Sequence, residues 1–175
     1  MAQSKFMNAT LEGTFKFCSD CPSNNNCCVR TRHGLGEIAN PPLLPNEAAE
    51  ISAHTGLSVD AFAEGQPGEP LAIKRTDSGC LFYKGGKCEI YAIRPFDCKI
   101  FPFDIARLDG LFYWIVYTSL CPSESGFEYD EADFQSAKAR LRKSKISKGD
   151  LDAFVSHGRD IMAPHPYRRL EVVEL

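Results

Sequence analysis

The sequence lacks long apolar runs, an excess of positive charge and internal repeats, and each absence excludes a class of protein. No stretch approaches the ~18 apolar residues of a membrane helix, and Met1 to Phe17 never reach the apolar core of a signal peptide. The formal net charge of −3 gives no broad basic surface for nucleic acid. We therefore expect a cytoplasmic protein that binds neither a membrane nor nucleic acid.

Motifs of several common enzyme classes are also missing. The sequence has no Gly-rich phosphate loop, no serine or cysteine nucleophile motif and no dinucleotide fingerprint. The residues therefore leave open whether the chain is an enzyme. Hydrophobic residues make up 43% of the 175, which is enough to bury one core of ordinary size.

Cysteine, in contrast, is abundant, with eight residues in the chain. In a reducing compartment such a number indicates metal binding or redox chemistry rather than structural disulfides. The two-residue gap between Cys18 and Cys21 allows both sulfurs to reach one ion from a tight turn. Some of the later cysteines are alternatively small buried apolar residues. We predict that all eight are metal ligands: Cys18, Cys21, Cys27, Cys28, Cys80, Cys88, Cys98 and Cys121.

The adjacent pair Cys27 and Cys28 indicates an interleaved site. Side chains of neighbouring residues tend to point in different directions. We therefore expect Cys27 and Cys28 to bind different metals or different corners of one cluster, or one of them not to be a ligand. We therefore expect the first block of cysteines to need partners from the second. Metal binding would then stabilise the fold directly.

The spacing favours a 4Fe-4S iron-sulfur cluster slightly over zinc. Zinc ribbons usually have two C-x2-C knuckles, whereas this chain has one. Pro22 and Pro122 each follow a cysteine, as does the proline that closes bacterial ferredoxin motifs. Arg94, just before Cys98, is a candidate cofactor-binding residue, since it could offset the negative charge of the thiolates.

Outside the cysteines, His33 lies near Cys28 and is a weaker ligand candidate, while His54, His157 and His165 are weaker still. Asp97 and Asp104 flank the later cysteines and could bind a metal that prefers oxygen, although carboxylates beside a turn are usually solvated.

Hydrophobic periodicity and turn residues predict an α+β fold of small antiparallel β-hairpins with short flanking helices, stapled by metal. We divide it into a flexible N-terminus (1–15), a cysteine-cluster domain (16–125) and a C-terminal helical extension packed on that domain (126–175). Helices are predicted from Pro45 to Gly56, from Val59 to Glu64, around Ala132 to Leu141 and from Asp150 to Ile161. Hairpins are predicted at Gly85-Gly86, with a cysteine on each arm, and at Asp109-Gly110.

One segment resembles a known family. The string from Cys80 to Phe103 contains Cys-Ile-Tyr at Cys88, Arg94-Pro95, Cys98 and Phe101-Pro102. With the N-terminal cysteines, this resembles the CxxCxxCC or YkgJ-type cysteine-cluster family, described as zinc- or iron-chelating domains. The resemblance covers about residues 15 to 122. It implies that the first seven cysteines occupy motif positions and that Cys121 is similar to a later cysteine of the family.

The chain departs from the family pattern at one point, since five residues separate Cys21 from Cys27 where the family name implies two. A related cysteine motif occurs in flagellin lysine methylases, which are expected to carry an iron-sulfur cluster. That similarity favours iron.

Three functions remain open from the sequence. The first is a metal-cluster protein with a role in redox chemistry, metal handling or a modification pathway. The second is a zinc-stabilised interaction module with a protein partner and no catalysis. The third is a metalloenzyme whose metal keeps an open coordination position for substrate.

Overall fold

The structure is a computed structural model that describes residues 28, 39–85, 87–118 and 129–175. These residues form short helices and small antiparallel sheets, which confirms the predicted α+β class. The helices are α1 (Glu47–Thr55), α2 (Val59–Phe62), α3 (Phe96–Ile100), α4 (Glu131–Ser144), α5 (Lys148–Ser156) and α6 (Arg159–Met162), with a 3-10 turn at Tyr91–Ile93. The strands are β1 (Ala63–Glu64), β2 (Ala72–Ile73), β3 (Arg75–Thr76), β4 (Gly79–Cys80), β5 (Tyr83–Lys84), β6 (Lys87–Cys88), β7 (Phe103–Leu108), β8 (Leu111–Tyr117) and β9 (Tyr167–Val172).

The largest sheet has the order β7-β8-β9 and is antiparallel throughout. Strands β7 and β8 are joined by Asp109 and Gly110, which both have positive φ angles of 51° and 82°. These angles define the type I′ turn, whose twist matches that of the strands it joins. The predicted Asp109-Gly110 hairpin is confirmed.

The third strand of this sheet, β9, was not predicted. It lies against β8, with Tyr117 opposite Tyr167 and Tyr113 opposite Val172. Most of its side chains are exposed, so its sequence does not alternate between apolar and polar residues as a half-buried strand would.

Two consecutive small hairpins precede this sheet, and they correct one prediction. Strands β5 and β6 pair across the predicted turn, with Tyr83 opposite Cys88. Cys80, however, lies in the earlier hairpin, where it pairs with Arg75 in β3. The prediction of a cysteine on each arm of the Gly85-Gly86 hairpin is therefore wrong, because the chain turns first at 77–78.

The N-terminal helices largely follow the sequence. Helix α1 ends at Thr55, just before Gly56 as predicted, and Gly56 caps it in a left-handed conformation with a φ of 73°. Helix α2 begins after Ser58 as predicted but ends at Phe62 rather than at Glu64. Residues 63–64 instead form β1, which pairs with β2. This pairing places Ala63 opposite Ile73, and both side chains are buried.

Of the C-terminal helices, α4 confirms its prediction and buries Phe134, Ala137 and Leu141. The helix predicted from Asp150 to Ile161 is divided into α5 and α6. Gly158 lies between them with a φ of 61°, a left-handed conformation that interrupts the helix. This break turns Ile161 outward, and its side chain is 42% exposed, so the prediction of one continuous helix to Ile161 is wrong.

The main core lies between the large sheet and helices α4 and α5. Phe134 lies 5.3 Å from Phe103 and 5.7 Å from Trp114 between ring centroids, and Leu151 of α5 belongs to the same buried cluster. A second cluster holds the small hairpins against α1 and α2. In the described parts of the chain, no helix is long and apolar enough to cross a membrane.

Candidate metal centre

A backbone hydrogen bond joins Cys28 to Cys80. The amide of Cys80 donates to the carbonyl oxygen of Cys28 at 2.8 Å. Cys28 belongs to the N-terminal block and Cys80 to the first small hairpin. The bond therefore brings Cys28 against the hairpin that carries Cys80.

Four thiols share one electrostatic neighbourhood. Burial raises the pKa of Cys80 and of Cys88, and the nearby thiol of Cys28 adds to both shifts. Burial also raises the pKa of Cys98 well above its usual value, with smaller contributions from Asp97 and from the other three cysteines. These mutual effects place the four thiols in the same region of the fold. All four are free thiols rather than disulfides.

Backbone hydrogen bonds are directed at two of these sulfurs. Bonds at Phe82 and Tyr83 lower the pKa of Cys80 against the larger effect of burial, and one at Ile90 does the same for Cys88. Both cysteines therefore end a short strand and are followed by a turn whose amides face the sulfur. This arrangement stabilises thiolates and is found around metal-bound cysteines.

Two arginines lie beside the thiols. Arg75, paired with Cys80 across the first hairpin, lowers the pKa of that thiol. Arg94 lowers the pKa of Cys88, while its guanidinium stacks over the Tyr91 ring at 4.0 Å and donates to the Tyr91 carbonyl at 3.4 Å. The sequence pointed to Arg94 but missed Arg75, whose place becomes visible only once the hairpin pairing is known.

Helix α3 presents Cys98, and a distant carboxylate fixes the start of that helix. Oε1 of Glu47 accepts a hydrogen bond from the Phe96 amide at 2.6 Å, and Oε2 accepts one from Leu44 at 2.8 Å. Phe96 and Ile100 are buried and anchor the helix in the core. Glu47 thus positions α3, a role that the sequence does not indicate because Phe96 lies far from Glu47 along the chain.

The remaining sequence candidates are dispersed or not described. Cys18, Cys21, Cys27, Cys121 and His33 lie outside the described residues. His54 is exposed on α1, and His165 is buried with its ring centroid 6.3 Å from that of Tyr117. His157, Asp97 and Asp104 instead line a cavity beside α3. Among the described residues, no group of three or more Cys, His, Asp or Glu side chains is arranged so that it could hold a metal ion.

The chemistry of the assembled side chains fits a metal that prefers sulfur. Thiolates bind zinc and iron-sulfur clusters, and amide donors and nearby cations offset their negative charge. Cys28, Cys80, Cys88 and Cys98 supply the thiols, and Arg75 and Arg94 supply the cations. The residues present therefore suit zinc or an iron-sulfur cluster better than a hard cation such as magnesium.

Comparison with family models shows which family the chain belongs to. The family model CxxCxxCC, "Putative zinc- or iron-chelating domain", matches residues 17–125, which is more than half of the chain. The chain belongs to this CxxCxxCC family. The predicted resemblance is confirmed, and metal binding of the zinc- or iron-chelating kind follows from membership. No curated protein and no solved structure matches the chain.

Proposed function

We propose that this CxxCxxCC protein holds an iron-sulfur cluster, a 4Fe-4S cluster first, through cysteines of both blocks. The observation that carries the proposal is the contact of Cys28 with Cys80, next to the thiols of Cys88 and Cys98. Four thiols are the number that a 4Fe-4S cluster needs. We propose Cys18, Cys21, Cys27 and Cys121 as the further ligands that eight cysteines make available.

The surroundings of the thiols support a cluster. Phe82 is buried two positions after Cys80, and Phe96 is buried two positions before Cys98. Aromatic shielding, hydrogen bonds to sulfur and nearby positive charge are the factors that tune a cluster's reduction potential. Arg94 and Arg75 supply that charge beside Cys88 and Cys80. A role in redox chemistry, metal handling or a modification pathway is consistent with this setting.

A zinc-stabilised interaction module is the second candidate. The observation that favours it is that four free cysteines lie in one region of the fold, since four thiolates are also the number of ligands in a closed structural zinc site. Such a site leaves no coordination position for substrate. The protein would then act by presenting a metal-stabilised surface to a partner rather than by catalysis.

We also propose that residues 126–175 form an extension of the metal-binding domain rather than a separate unit. Phe134 and Leu141 of α4 pack into the same buried cluster as Phe103 and Trp114 of the large sheet. Lys138 of α4 is moreover ion-paired with Glu171 of β9 at 2.7 Å.

Anaerobic purification followed by absorption spectroscopy and analysis of iron, acid-labile sulfide and zinc tests the proposal. A brown protein with stoichiometric iron and sulfide is the expected result. A colourless protein with stoichiometric zinc would overturn the cluster and establish the second candidate. Cys98→Ser should lower the amount of bound metal, whereas His54→Asn, on the exposed face of α1, should leave it unchanged.

A further inference from the structure

Helix α3, which carries Cys98, is held at both ends by side chains from other helices. With only five residues it is too short to be stable on its own. At its start, the Phe96 amide donates to Oε1 of Glu47 at 2.6 Å. Near its end, the guanidinium of Arg140 in α4 donates to the carbonyl oxygen of Lys99. Cys98 therefore lies between two backbone groups that distant side chains fix in place.

The hydrogen bond from Arg140 acts on a group that the short helix cannot satisfy itself. The last carbonyl groups of a helix have no donor within the helix, and this end carries a partial negative charge that favours a cation. A guanidinium presents its N–H donors in a rigid plane, so it holds a carbonyl in a defined direction. Because Lys99 directly follows Cys98, the bond fixes the backbone one residue away from the thiol.

The apolar side chains of α3 also pack on the C-terminal extension. The ring centroids of Phe96 and of Phe154 in α5 lie 5.6 Å apart. Ile100 is fully buried in the same cluster as Phe134 and Leu141 of α4. The helix that presents Cys98 thus belongs to the core formed with α4 and α5, and not to the buried cluster of the small hairpins.

These contacts come from outside the part of the chain that the family model matches. The CxxCxxCC match ends at residue 125, whereas Arg140 and Phe154 lie beyond it. The position of Cys98, inside the match, therefore depends on residues that the family model does not include.

We propose that Arg140 is a positioning residue of the metal centre, through which the C-terminal extension raises the metal affinity of the site that contains Cys98. The inference rests on the proposed function only in so far as Cys98 is a metal ligand. Arg140 acts through the Lys99 backbone and is not itself a ligand. Groups that orient metal ligands commonly contribute about 10- to 100-fold to affinity. Docking of the extension and metal binding therefore strengthen each other.

Zinc affinity of the full, reduced chain, measured by competition with a chromophoric chelator, tests the proposal. Arg140→Met and Arg140→Gln should each weaken zinc binding about tenfold, because both remove the guanidinium. Arg140→Lys retains a donor and should recover most of the affinity. Arg142→Met is the matched control, since Arg142 is an exposed arginine on the same helix, and it should bind zinc like the parent.

Co²⁺ loading gives a second readout that a purely structural role would not change. Each thiolate bound to Co²⁺ adds to the sulfur-to-cobalt charge-transfer absorption. A misplaced Cys98 should therefore lower this absorption per bound Co²⁺ in Arg140→Met, as Cys98→Ser does. A contact that only stabilises the fold would lower the urea stability of the metal-free chain, while folded molecules would bind zinc and Co²⁺ as the parent does.

Unchanged zinc affinity and an unchanged Co²⁺ spectrum in the folded Arg140 variants would overturn the proposal. If circular dichroism shows that one of Arg140→Met and Arg140→Gln is unfolded, the other decides. If neither folds, the proposal is also overturned, because Arg140 then serves the whole fold rather than the metal centre. A parent that binds no metal would instead contradict the proposed function, so the two failures are distinguishable.

Discussion

The amide of Cys80 and the carbonyl oxygen of Cys28 are joined by a 2.8 Å hydrogen bond, although the two residues belong to different cysteine blocks. The hairpin that carries Cys80 has strands of two residues each and is too small to bury a core of its own. The contact therefore gives this hairpin a partner in Cys28, and a metal bound to both residues would fix them together.

Metal uptake should release protons. Burial raises the pKa of Cys80, Cys88 and Cys98, so these thiols are protonated at neutral pH in the metal-free chain. Zinc binds thiolates, so each ligand must lose its proton, and about three protons per zinc should come from these residues at pH 7. Affinity should rise with pH up to the raised pKa values. Calorimetry in buffers of different ionisation enthalpy measures the count; zero net release would mean that thiols are not the ligands.

Replacing Arg75 with glutamine should weaken metal binding. The guanidinium lowers the pKa of Cys80, so its loss raises that pKa and disfavours the thiolate. We expect about a tenfold loss of zinc affinity, typical for groups next to a metal ligand. Competition with a chromophoric chelator measures it. Arg107→Gln, which removes an exposed arginine paired with Asp152, is the control. Equal affinity of both variants would show that Arg75 does not act on the site.

Replacing Glu47 with glutamine should destabilise the start of α3. The carboxylate accepts from both Phe96 and Leu44, whereas an amide has only one oxygen and would leave one amide unsatisfied. The expected loss is about 1–3 kcal/mol in the free energy of unfolding, measured with urea. Glu50→Gln, one turn along on the exposed face of α1, should change it little.

The same variant should also change the pH dependence of stability. Burial raises the pKa of Glu47 above its ordinary 4.5, so the folded state holds the proton more tightly than the unfolded state. The parent's free energy of unfolding therefore contains a contribution that is full below pH 4.5 and is lost as the pH rises through the raised pKa. Glu47→Gln lacks this contribution, so its deficit should narrow with rising pH across that interval. A widening deficit would contradict the sign.

Replacing Gly158 with alanine should destabilise the fold. Gly158 has a φ of 61°, and a Cβ built there would lie 2.3 Å from that of Ala39. The strained backbone and the clash together should cost about 1–3 kcal/mol. Gly149→Ala is the matched control, because Gly149 is helical and its nearest neighbour would lie 3.8 Å away. Thermal melting should show opposite shifts, since alanine at 149 stabilises by about 0.5 kcal/mol. Similar melting temperatures for Gly158→Ala and the parent would contradict this packing.

Local signals explain which parts of the fold could be predicted. The type I′ turn at Asp109 and Gly110 depends on two adjacent residues and was found from sequence. The buried stripe of α4 was found in the same way, because Phe134, Ala137 and Leu141 recur at helical spacing. Such features depend on a few neighbouring residues and little on the rest of the fold.

Features that depend on tertiary contacts were missed. Strand β9 exists because Tyr167 and its neighbours pair with β8, and its own sequence carries no strand pattern. The hydrogen bond between Glu47 and Phe96 joins residues that are 49 positions apart, so no local sequence pattern predicts it. At the proposed site, residue type and spacing were enough to predict the cysteines as ligands. Arg75 beside Cys80 depends on a hairpin register that residue types alone do not fix.

X-ray absorption spectroscopy of the anaerobically purified chain tests the central claim most directly, with Cys28→Ser measured beside the parent. The account predicts a shell of sulfur ligands around the metal, with iron-iron scattering if the proposed cluster is present. Cys28→Ser should lose one sulfur from the shell or lose the metal. A shell of nitrogen and oxygen ligands, or a sulfur shell that Cys28→Ser leaves unchanged, would contradict a centre shared by the two blocks.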